Sequence, residues 1–102
     1  MYSVLAQKDH PKSNTLTIIY SGELLIDNVE AIYSETKEVL GEYDSYIISA
    51  EDVDDIDLSF IQLILSLEKT LKEKNKKVEK KMQIPETLIE LFTNTGFETI
   101  TA

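Results

Sequence analysis

The chain is 102 residues long, enough for one domain with one core, and its balance of 42 % hydrophobic and 28 % charged residues is that of a globular protein. It holds no cysteine and a single histidine, His10, which excludes a disulfide framework, a thiolate nucleophile and a zinc site built from cysteine and histidine. The net charge of −9 and the complete lack of arginine oppose binding to nucleic acid or to anionic lipid, and no apolar run reaches the roughly 18 residues of a membrane span.

The charge is unevenly spread. Glu23 to Asp57 holds 12 acids and one base, Lys37, whereas Lys69 to Lys81 holds 7 lysines and 2 acids. Such a lysine run reads as a solvated face. With no basic-then-apolar leader at the N-terminus, a cytoplasmic location is expected.

Two apolar segments come first, Tyr2–Gln7 and Leu16–Tyr20, separated by the turn-forming stretch His10-Pro11-Lys12-Ser13-Asn14. They predict a pair of strands, the second ending over Ser21-Gly22-Glu23-Leu24. Asp27, with Glu30 three residues on, predicts a helix N-cap and its capping-box partner. Val29, Ile32, Tyr33, Thr36, Val39 and Leu40 follow at helical spacing, and Gly41 is a natural stop. Tyr46-Ile47-Ile48-Ser49-Ala50 predicts a short buried strand, followed by an acidic loop from Glu51 to Asp57.

A second helix is expected from about Leu58 to Lys74, stopped by Asn75. At about 100° per residue, Ser59, Gln62, Ser66, Lys69, Thr70 and Glu73 share a polar arc, and the apolar arc is about twice as wide as a surface helix needs. Lys77 to Ile84 predicts a fourth strand. Pro85 then opens a third helix, with Leu88, Ile89, Leu91 and Phe92 on its apolar face and Gly96 beyond its end. The order is β-β-α-β-α-β-α, an α/β layer occupying the single domain 1–102.

The most informative stretch runs from Asp52 to Leu65. It sets acidic residues at the C-terminal edge of a strand, directly before a helix, where α/β sheets usually bind ligands and partners. Four aspartates, Asp52, Asp54, Asp55 and Asp57, fall within six residues, but without the glycine and terminal glutamate of a calcium loop. Asp57 is better read as a helix cap, with its neighbours favouring the positive helix end. No nucleophile and base pair, phosphate-cradling loop or metal set is found. The expectation is a protein that is not an enzyme and carries no cofactor.

The segment ending Ile56-Asp57, followed by Leu58-Ser59-Phe60-Ile61-Gln62-Leu63, resembles the signature of STAS domains, the sulfate-transporter and anti-sigma-factor-antagonist family. The lysine-rich end Lys72-Glu73-Lys74-Asn75-Lys76, the Gly22-Glu23-Leu24 element and the stretch from Pro85 to Gly96 fit the same order. The resemblance implies a mixed four-stranded sheet with helices packed mainly on one face. It implies a signalling module that docks a protein partner, such as a kinase-type anti-sigma factor, or alternatively a cytoplasmic subunit binding the ATPase of an ABC-type membrane transport complex.

In switching members of that family a Ser or Thr in the signature is phosphorylated. Here Leu58 stands at the acceptor position, Ser59 follows it, and Phe60 replaces the usual glycine. The expected docking surface is Asp55, Asp57, Leu58, Ser59, Phe60 and Gln62, with Leu58 and Phe60 supplying apolar contact. Ser59 is the candidate phosphoacceptor, although a docking module without the switch is the favoured reading.

Overall fold

The computed structural model describes residues 1–8 and 14–83. Strand β1 (Tyr2–Lys8) runs antiparallel to β2 (Thr15–Leu24). Helix α1 (Ile26–Leu40) leads to β3 (Ser45–Ile56), which lies parallel to β2. Helix α2 (Leu58–Glu73) leads to β4 (Lys77–Met82), parallel to β3. The sheet order is β1-β2-β3-β4, a mixed four-stranded α/β sheet. The segment from His10 to Ser13, and the third helix expected from Pro85, lie outside the described residues.

The two helices share one face of the sheet, because each is a crossover between parallel neighbours and such crossovers keep one hand. Alternation fills that face. Leu16, Ile18 and Tyr20 of β2 stand in register with Tyr46, Ile48 and Ala50 of β3, and all six are buried. Tyr20 meets both helices. Its ring lies edge-on to Phe60 of α2 at 5.3 Å between centroids, and its hydroxyl is 2.9 Å from Thr36 Oγ1 of α1. Thr36 donates its own proton to the Ile32 carbonyl at 2.8 Å, so Tyr20 is the donor of the pair. Burial pushes the Tyr20 phenol up to about 12, against the lowering pull of Thr36.

Helix ends follow local chemistry. Asn75 takes a positive φ of 63°, which lets Lys76 N–H reach the Leu71 carbonyl at 3.0 Å and Asn75 N–H the Lys72 carbonyl at 3.0 Å. This is a Schellman stop, and it explains why the helix ends where asparagine stands. Gly41, with φ 54°, ends α1 as expected. The Tyr46 hydroxyl shares its proton between the Leu40 and Gly41 carbonyls, each 3.1 Å away, and accepts from Tyr43 N–H at 3.2 Å. A buried strand residue thus satisfies the end of the preceding helix.

Two local expectations are corrected. The stretch from Glu51 to Ile56 is not a loop but the continuation of β3, still paired to β2 through Gly22↔Val53, Glu23↔Asp55 and Leu24↔Ile56. The pairing is bulged, with Asp52 at φ 49° and Gly22 at φ 85°. Between Ala50 and Ile56 β3 spends more residues than β2 spends between Tyr20 and Leu24. The bulge is what lets Val53 and Ile56 both point inward while Asp54 and Asp55 face solvent. Asp27, expected to cap α1, instead lies inside its first turn. The N-cap position is Leu25, whose side chain offers no hydrogen bond.

Candidate functional site: paired helix starts at the sheet edge

The bulge has a geometric consequence. β2 and β3 finish together, at the pair Leu24↔Ile56, and each passes at once into a helix. Asp57 N–H donates to the Leu24 carbonyl at 3.2 Å, which ties the two exits side by side. Two helix starts therefore open next to each other at the C-terminal edge of the parallel strands. Each brings backbone N–H groups with no partner inside its own helix.

One carboxylate serves both. Asp57 Oδ1 accepts from Ser59 N–H at 3.0 Å and from the Ser59 hydroxyl, while Oδ2 accepts from Ile26 N–H at 2.8 Å. The second bond joins residues 31 positions apart in sequence and gives α1 the cap that Leu25 lacks. Burial opposes ionisation of Asp57. The Ser59 hydroxyl and the N–H groups of Ile26, Ser59 and Phe60 outweigh it and hold the carboxyl below its ordinary value.

The expected site residues divide around this anion. Asp55 is exposed, with Oδ1 turned back onto Ile56 N–H at 2.9 Å. Leu58, in the first turn of α2, is 43 % exposed, and Gln62, one turn further along the same face, is exposed as well. Ser59 is half-buried, its hydroxyl committed to Asp57. Phe60 is the correction. It is fully buried against Tyr20 and offers nothing to a partner while the chain is folded. Its direction follows from helical spacing, since it and Ile64 lie on the side of α2 that packs on the sheet.

Sequence reasoning missed Ile26. It is 68 % exposed, and its N–H is held by the carboxylate that caps Leu58's helix. The available signal was that Ile26 precedes the apolar set Val29, Ile32 and Thr36 and is not needed for the core. Ile26 and Leu58 thus occupy the first helical position of adjacent helices, two exposed aliphatic side chains beside one half-buried carboxylate.

No family model matches the chain, and no curated protein matches it. Among solved structures, the Bacillus cell fate determinant SpoIIAA, in its phosphorylated form, matches with a TM-score of 0.65 at 20 % identity, over 92 % of this chain and 84 % of its own. This chain has the STAS fold of SpoIIAA. Two structures of Mglu match with TM-scores of 0.62 and 0.60 at 17 % and 16 % identity, over 82 % and 79 % of this chain. They are much longer proteins, of which the match spans 20 % and 22 %. The STAS resemblance read from element order and from the Asp57 signature holds at the level of fold. Among the described residues no helix is long and apolar enough to cross a membrane.

Proposed function

We propose that this chain is a cytoplasmic protein-binding regulatory module, similar in role to an anti-sigma-factor antagonist, and that it acts by docking and not by catalysis. The docking surface is the paired helix start: Ile26 and Leu58 as apolar contacts, Gln62 beside them, and Asp55 in the acidic surround. The observation that carries this reading is the exposure of two large aliphatic side chains on one edge, fixed by a shared backbone anchor. The acidic field around them speeds encounter with a basic partner.

The module works without a phospho-switch in this region. Leu58 has no hydroxyl, and the Ser59 hydroxyl is already spent on Asp57. Phosphate on Ser59 would break that bond and set two or so negative charges against the Asp57 carboxylate. SpoIIAA, one of the structural neighbours, was solved in a phosphorylated form; on this reading the present chain shares its fold and lacks a phosphoacceptor at the start of α2.

The test is affinity purification from the native cell with the wild type, Leu58→Asp and Ile26→Asp, combined with phosphopeptide mapping. A protein partner retained by the wild type and lost by both variants supports the surface. A kinase-type partner supports the regulatory role, and an ATPase subunit the transport alternative. Equal recovery by all three proteins refutes the surface. Stoichiometric phosphate on Ser59 refutes the absence of a switch.

A further inference from the structure

The two edges of the sheet are built differently. β4 is guarded, with four of its six residues charged: Lys77, Glu79, Lys80 and Lys81. Charged side chains on an edge strand block pairing with another chain. β1, at the opposite edge, has no charged residue from Tyr2 to Gln7 and carries only Lys8 at its end. Among the described residues it has a strand neighbour on one side alone. It is seven residues long, with neither proline nor glycine, and its pairing to β2 runs without a bulge.

The backbone of β1 can be read further. Glu23 donates its N–H to the Met1 carbonyl at 2.8 Å, and the register from Tyr2↔Gly22 to Lys8↔Leu16 continues from there. In an antiparallel ladder the bonding direction alternates from residue to residue. Ser3, Leu5 and Gln7 therefore turn their backbone groups to β2. Those of Tyr2, Val4, Ala6 and Lys8 point outward, a row of donors and acceptors aligned for another strand. Leu5, midway along β1, is 50 % exposed on the sheet face away from the helices, next to its cross-strand partner Ile19.

We propose that β1 pairs antiparallel with β1 of a second copy of this chain, joining two sheets into one continuous eight-stranded sheet. A two-fold axis at Leu5 sets all seven residues against each other. Val4 of one copy exchanges backbone hydrogen bonds with Ala6 of the other, and Tyr2 with Lys8. The two Leu5 side chains then meet on the open face and extend the Leu5–Ile19 apolar row across the junction. On the helix face, Lys8 of one copy comes beside Tyr2 of the other, whose hydroxyl donates to Glu35. The cation at the strand end is thereby brought to a carboxylate of the second copy. This pairing does not depend on the docking surface proposed above, which lies on the parallel edge of β2 and β3.

The absence of cysteine makes the test direct. On a two-fold axis through a non-hydrogen-bonded pair, facing Cα atoms lie about 4.5 Å apart, within disulfide reach. Leu5→Cys is expected to cross-link into a dimer under mild oxidation, and Glu79→Cys on the guarded edge is the control. Sedimentation of the untagged wild type is expected to show a dimer at high concentration. Ala6→Pro removes an outward N–H in each copy without touching the β2 ladder, and should weaken the dimer about 30-fold or more. Leu5→Lys, a surface change, should weaken it too while thermal melts stay near wild type. Wild type that sediments as a monomer up to millimolar concentration overturns the proposal. So does Leu5→Cys cross-linking no faster than the control, or a dimer that survives both edge variants.

Discussion

The Asp57 carboxylate accepts the backbone N–H of Ile26 at 2.8 Å with one oxygen, while its other oxygen caps the helix that follows Asp57. A single side chain thus fixes the starts of two helices and the spacing of the two exposed aliphatic residues they present. Asp57→Ala is expected to cost about 2 kcal/mol at neutral pH, and Asp57→Asn less, since the amide keeps one acceptor. The folded carboxyl titrates below its ordinary 3.8. Its stabilisation is therefore complete above the ordinary value and is lost as pH falls through the lower folded value. Urea melts of wild type and Asp57→Ala should converge below about pH 4. A gap that stays constant into acid would show that the carboxylate's charge is not the source.

Leu58 and Phe60, two residues apart, should separate binding from folding. Leu58→Asp and Ile26→Asp place charge on exposed positions, with melting expected close to wild type and partner retention lost. Phe60→Ala leaves a cavity beneath Tyr20 and should cost about 3–5 kcal/mol, and Phe60→Asp should prevent folding. Circular dichroism beside pull-downs checks both. A folded Phe60→Asp protein would contradict the packing described here.

Tyr20 gives an alkaline counterpart. Its phenol is raised to about 12 by burial, so its contribution to stability is complete below the ordinary 10.0 and is lost as pH rises through the folded value. In a tyrosinate absorbance titration, one of the five tyrosines should ionise only with alkaline unfolding. Tyr20→Phe should remove that transition and cost about 1 kcal/mol at neutral pH through the hydrogen bond lost to Thr36. Ionisation of Tyr20 in the folded protein, ahead of alkaline unfolding, would refute its burial.

Glu68 joins α2 to β4. Its Oε1 lies 3.0 Å from Lys80 Nζ and its Oε2 3.1 Å from Lys72 Nζ. Burial opposes its ionisation, but the two ammonium groups outweigh it and hold the carboxyl below the ordinary range. The Lys80 pair is the more enclosed, so Glu68→Gln should cost about 2 kcal/mol, whereas Lys72→Ala on the surface should cost about 0.3 kcal/mol. A double variant, Glu68→Leu with Lys80→Met, should recover most of the Glu68 loss. Strictly additive urea midpoints would show that the pair is not coupled.

Much of this molecule was readable from residue patterns. Alternation in Leu16–Tyr20 and Tyr46–Ala50, the helical spacing from Val29 to Leu40, the stops at Gly41 and Asn75, and Asp57 as the cap of α2 all depend on neighbours within a few positions. Local backbone geometry decides them, so the chain states them directly. Three features depended on residues far apart. β3 continues through Asp52–Ile56 because β2 offers partners to aspartates whose own propensity favours a turn. Phe60 turns inward because Tyr20, forty residues earlier, leaves it a place in the core. Ile26 becomes the neighbour of Leu58 because parallel pairing brings Leu24 beside Ile56, and Asp57 then caps a helix that begins 31 positions before it. No window of sequence contains both ends of those contacts. The order of elements belongs to the sequence alone; which apolar side chains stay outside, and which carboxylate holds them, was decided by how the strands align.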